Sequence, residues 1–152
     1  MALSYSEIGT GYFYLGDYEK ALEFQNKALS IRIKVLGEEH PYVATSYYGI
    51  GRDYYAIGNY EKALEFQNKA LSIRIKILGE EHPDIANSYH QLGKVYTLNG
   101  DYPQAIQYYE KAVRIEEATL GPEHPYTLED KATLETLRAR LKEHENPPKT
   151  EE

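Results

Sequence analysis

The 152-residue chain has no cysteine, no tryptophan and one methionine. Without cysteine it can build no disulfide framework, no thiolate metal site and no cysteine nucleophile, so the fold must rest on packing, and the same absence leans toward a cytoplasmic setting. Positive charge is also scarce. Lys and Arg number 17 against 24 Asp and Glu, a formal net charge of −7, the wrong sign for a surface that neutralises phosphates, and nucleic acid is not an expected partner. Nothing approaches the roughly 20 apolar residues needed to cross a bilayer. The start, Met1 to Ile8, has neither the basic region nor the apolar core of a secretory leader, and no membrane partner is expected. No Gly-x-Ser-x-Gly, phosphate-binding loop or His-Glu-x-x-His occurs, so neither enzymatic activity nor a cofactor is expected.

What is abundant is tyrosine, 16 residues of it, and internal repetition explains the excess. Tyr18 to Pro41 recurs from Tyr60 to Pro83 with one change, Val35 giving way to Ile77, and a more diverged copy runs from Tyr102 to Pro125. The period is 42 residues, and His40-Pro41, His82-Pro83 and His124-Pro125 mark one structural point three times. Proline suits the first turn of a helix, where its missing N–H is harmless. Tyr47, Ile50, Gly51 and Tyr54 then fall on one helical stripe, with Gly51 small enough to admit a close neighbour and Gly58-Asn59 as the stop. A second helix from Tyr60 to Leu78 carries Ala63, Phe66, Ala70, Ile73 and Ile77 on one stripe and Leu64, Leu71, Ile75 and Leu78 beside it. So wide an apolar face requires more than one packing partner, as in stacked helix pairs.

The expected helices span about 2–15, 18–36, 41–57, 60–78, 83–98, 101–120 and 125–144. The seventh replaces Tyr47, Gly51 and Tyr54 with Lys131, Glu135 and Arg138 and keeps only Leu134, Leu137 and Leu141 as an apolar stripe, the pattern of a capping helix with a solvated outer face. The domain reading is therefore one array over 1–144, with repeats about 2–40, 41–82 and 83–124 and a cap about 125–144, followed by a disordered tail at 145–152.

The string Tyr47, Ile50-Gly51, Tyr54, Gly58-Asn59-Tyr60, Ala63 and Ala70, repeated in all three copies, resembles the tetratricopeptide repeat. The unit is eight residues longer than that family's standard 34, and with its Leu-Gly-Glu-Glu-His-Pro connection it is similar to the 42-residue repeats of kinesin light chains. The resemblance implies an all-α solenoid of antiparallel helix pairs, a right-handed superhelix whose concave side is lined by the first helix of each pair, and a non-enzymatic scaffold that binds a peptide or partner helix there. On that face lie Ser6, Thr10 and Phe13, then Tyr48, Arg52 and Tyr55, then His90, Lys94 and Thr97, the expected peptide-binding groove. The nine tyrosines at 5, 12, 18, 47, 54, 60, 89, 96 and 102 match the family's packing positions, and the resemblance implies that they lie in the core. The carboxylate clamp of the family's chaperone-tail binders is not carried over, because Ser6, Thr10, Gly49, Asn87 and Gln91 stand at the matching places. The Asn-Asn pair frequent in kinesin light chains is likewise replaced by Ser6-Glu7, Tyr48-Gly49 and His90-Gln91.

Between the second and third copies the first helix changes far more than the first and second copies of the other helix do, where even Glu19, Lys20, Glu23, Asn26 and Lys27 are kept. Two readings fit: diversification of the first helix to read ligand side chains, with Arg52 and Lys94 as charges, or recombination that copied only part of the unit. The three histidines before proline sit a helix layer apart, too far to share one ion, so no metal site is expected. Glu38-Glu39 and Glu80-Glu81 read as a solvated rim. Met1-Ala2 begins inside a repeat without a preceding His-Pro, so the first helix is expected to present an uncapped surface. That gives the alternative function, a self-associating structural array and a segment of a larger protein.

Overall fold

The structure is a computed structural model and describes residues 1–147. Among these residues there are seven α-helices and no strand. They are α1 (Ala2–Tyr14), α2 (Tyr18–Leu36), α3 (Pro41–Ile57), α4 (Tyr60–Leu78), α5 (Pro83–Leu98), α6 (Tyr102–Thr119) and α7 (Pro125–Glu145), within two residues of the expected limits. Local chemistry sets the boundaries. The even-numbered helices start on Asp17, Asn59 and Asp101, whose side-chain oxygens accept from the amides of Lys20, Lys62 and Gln104 at 3.2 Å. The later odd-numbered helices start on the His-Pro pairs. There His40, His82 and His124 accept through Nδ1 from the amides of Tyr42, Asp84 and Tyr126 at 3.1, 3.0 and 3.2 Å, which gives the recurrent histidines a capping role. Gly58 closes α3 in the left-handed conformation, φ 90° and ψ 10°.

Two compact units result. The first, Met1–Glu80, holds α1 to α4, with α2 packed on α1 and α3, and α4 on α3; the second begins at Glu81 and holds α5 to α7, with α6 packed on both its neighbours. The division falls inside the span expected as one array. The interior of the first unit is lined by Ala21, Ala28, Val43, Ala44, Ile50 and Ala63, that of the second by Leu92, Val95, Ala105, Ala112, Leu134 and Leu137. The capping helix docks by its narrow stripe, as expected.

The tyrosines correct the sequence reading. Of the nine expected in the core only Tyr89 is buried, and the rest are half-buried. Six of the nine flank the core in sandwiches: Phe24 lies between Tyr5 and Tyr12, Phe66 between Tyr47 and Tyr54, and Tyr108 between Tyr89 and Tyr96, the tighter contact in each being stacked at 5.5, 5.6 and 5.4 Å. Lys27, Lys69 and Lys111 cover the central rings. Ile77 and Leu78, expected on the apolar face of α4, are exposed. From Pro148 onward the expected tail lies outside the described residues, and its first residue, Glu145, belongs to α7.

Candidate functional site

On α1, Ser6 is tied to α2: its carbonyl accepts from Gln25 Nε2 at 3.3 Å and its hydroxyl reaches Gln25 Oε1 at 3.5 Å. Thr10 Oγ1 donates to the Ser6 carbonyl. Phe13 and Arg52 come together, the guanidinium carbon 3.7 Å from the ring centroid, so that an aromatic of α1 and a cation of α3 share one contact. Arg52 also pairs with Asp53 Oδ1 at 3.1 Å through Nη2. Tyr48 lies under the Arg74 guanidinium at 4.8 Å, and Tyr55 meets Tyr60 at 6.0 Å. All six residues are half-buried. The first unit thus offers a mixed aromatic and cationic face whose charge is already engaged within the chain.

In the second unit, His90, Lys94 and Thr97 lie half-buried on α5. Thr97 Oγ1 donates to the Gly93 carbonyl. His90 does not present a free ring, because its Nδ1 lies 2.6 Å from Asp130 Oδ1 of α7. Beside it a cleft of about 490 Å³ is bounded by α5, α6 and α7. Among the described residues no group of three or more His, Asp or Glu side chains could hold a metal ion.

Of the polar residues kept between α2 and α4, Glu23, Asn26 and Lys27 and their counterparts have structural partners. Lys27 and Lys69 bind Glu23 and Glu65 one turn back and cover aromatic rings, while Asn26 and Asn68 donate to the Leu22 and Leu64 carbonyls. Their retention therefore says nothing about a ligand. Sequence reasoning missed Asp53 and Glu116. Burial pushes the Asp53 carboxyl up to about 6 against the opposing Arg52 charge. Burial, with the charges of Asp130 and Glu129, holds Glu116 at about 7 against the opposing pull of His90. The signal was available: at the 42-residue offset, Asp53 stands where Val95 stands, and Glu116 where Arg32 and Arg74 stand.

Helix pairs repeated every 42 residues, each locked by an aromatic sandwich and a small-residue contact, define the class of tetratricopeptide-like repeats. The family model for the tetratricopeptide repeat matches residues 1–76, 58–118 and 84–146, and the chain belongs to that family, whose repeats mediate protein–protein interactions. Among solved structures, nearly identical TPR-like repeats of a kinesin light chain candidate from Podosopora anserina are 31% identical, covering 88% of this chain and 64% of that one with a TM-score of 0.78. BtubC (BKLC) from P. vanneervenii is 25% identical over 92% of this chain and 56% of that one, with a TM-score of 0.85. The Sgt2 TPR domain from Aspergillus fumigatus, at 21% identity, 99% and 87% coverage and a TM-score of 0.68, shares the fold. The chain thus spans less than two thirds of the length of the first two. No curated protein matches it. No described helix is long and apolar enough to cross a membrane.

Proposed function

We propose that the chain is a non-enzymatic interaction module that holds a peptide or partner helix against the α1 and α3 face of its first unit, through Ser6, Thr10, Phe13, Tyr48, Arg52 and Tyr55, with His90, Lys94 and Thr97 as the matching residues of α5. The observation that carries the reading is the Phe13 to Arg52 contact with Tyr48 and Tyr55 on the same helix as Arg52. Half-buried aromatics and arginine are the residue types that dominate interface energetics, because they contribute large contact area with little loss of freedom. The fixed Arg52 side chain supplies shape more than free charge.

A peptide library screened against the full chain tests this. Tyr48→Ala and Phe13→Ala should each weaken recovered peptides by about tenfold or more, the effect of an interface anchor, with melting temperatures near that of the parent. Unchanged affinity in both variants would remove the α1 and α3 face from consideration. A second reading, self-association, is favoured by the apolar surface of α1 and its exit, where Leu3, Tyr14 and Leu15 are 66%, 79% and 80% exposed. Light scattering over a hundredfold concentration range separates the two. A module keeps the mass of one chain throughout, and a self-associating array gains mass with concentration.

A further inference from the structure

One buried position changes charge between the copies. In the first, Arg32 of α2 is 6% exposed, and its Nη1 donates to Ser46 Oγ at 2.7 Å and to the Tyr42 carbonyl at 3.2 Å, both on α3. Two periods later, Glu116 of α6 stands in the place of Arg32, and Asp130 of α7 in that of Ser46. These are also buried, at 4% and 1% exposure. A guanidinium facing a hydroxyl has become a pair of carboxylates.

Among the described residues, no donor reaches Glu116 Oε2 or Asp130 Oδ2, although the other Asp130 oxygen meets His90. A buried carboxylate oxygen without a donor is costly, and two close together add mutual repulsion. Both residues line the cleft bounded by α5, α6 and α7, together with Asp84, His90 and Glu129, and neither lysine nor arginine lines it.

We propose that this cleft receives the guanidinium of an arginine side chain from a protein or peptide partner, which takes from outside the place that Arg32 takes from within in the first copy. The guanidinium carries five N–H donors in one plane and can meet two carboxylates at once, whereas a lysine ammonium is a more strongly hydrated point charge. This deepens the reading of the chain as an interaction module. It uses only residues of the second unit and does not depend on Phe13 or Tyr48.

Binding is pH-dependent. The titratable groups that line the cleft with Glu116 are Asp84 and His90 from α5 and Tyr126, Glu129 and Asp130 from α7. A bound guanidinium favours the ionised carboxylate, so affinity falls as pH drops below about 7, by at most about tenfold per unit for one proton.

The test is an NMR titration of the full chain at about pH 8, a value above the Glu116 range, following the His90 ring and the Glu116 side-chain carboxyl. The probe is N-acetyl-arginine methylamide, and its neutral citrulline counterpart is the control. Saturable shifts with arginine alone are expected, and Glu116→Gln should weaken binding about tenfold or more. The double variant Glu116→Arg/Asp130→Ser rebuilds the pair of the first copy, should fold, and should lose the response entirely. Phe13→Ala should leave the arginine response intact, so failure of the α1 and α3 face is read separately. Equal shifts from arginine and citrulline, or wild-type affinity in both cleft variants, overturn the proposal.

Discussion

Gly51 and Gly93 occupy the same point of successive copies, yet a side chain added at each would meet different neighbours. A Cβ on Gly51 comes within 3.0 Å of Gln67 Cγ, part of a flexible side chain that can move aside. On Gly93 it comes within 2.7 Å of Tyr109 Cε2, in a ring packed in the core of its unit. Gly93→Ala should therefore destabilise by about 1–3 kcal/mol, the usual cost of overpacking, and Gly51→Ala by less. Thermal melts of the two variants check the order, and the reverse order would mean that the Tyr109 ring yields more easily than Gln67. The need for a small residue was legible in the sequence, because glycine recurs on an otherwise apolar stripe. The engagement of Arg52 was not, since its partner Asp53 occupies a position that a valine fills one copy later, and helical spacing alone assigns such a position to the core.

The helices themselves were legible almost to the residue because proline, histidine and glycine punctuate every unit. What spacing could not show is the depth of each side chain. A pair of helices buries its shared seam completely and its flanks only partly, so tyrosines at signature positions end half-exposed, stacked on a central ring and covered by a lysine. The His-Pro caps predict a second outcome. Each imidazole accepts through Nδ1 and must be unprotonated there to do so. His124→Ala should cost about 1 kcal/mol, as loss of an N-cap does, and His124→Asn should recover most of it. Amide exchange at Tyr126 reports the same loss locally, and unchanged exchange in His124→Ala would exclude the cap.

For the whole molecule, two buried acids dominate the response to pH. Asp53 is pushed up to about 6 and Glu116 to about 7, both above their ordinary values of 3.8 and 4.5. A folded state that holds a proton more tightly than the unfolded chain is stabilised while the proton is bound. The contribution is therefore complete below about pH 4 and is lost as pH rises through the folded values. The melting temperature should be higher near pH 5.5 than near pH 8, between which both groups ionise, and Asp53→Asn combined with Glu116→Gln should flatten that slope. A slope unchanged in the double variant would assign it to other groups. At this scale the sequence is ambiguous in a further way, because α2 and α4 are the same helix apart from Val35 and Ile77. During refolding, Phe66 can enter the slot between Tyr5 and Tyr12 in place of Phe24, because it arrives on the same helix sequence. The 42 extra residues looped out by that error stretch the 12-residue span from Tyr12 to Phe24 to the 54 from Tyr12 to Phe66, about two doublings of loop length at about 0.6 kcal/mol each, a cost of only about 1 kcal/mol. Collapse can thus trap one helix in the berth of its twin, and at high concentration the twin can come from another molecule.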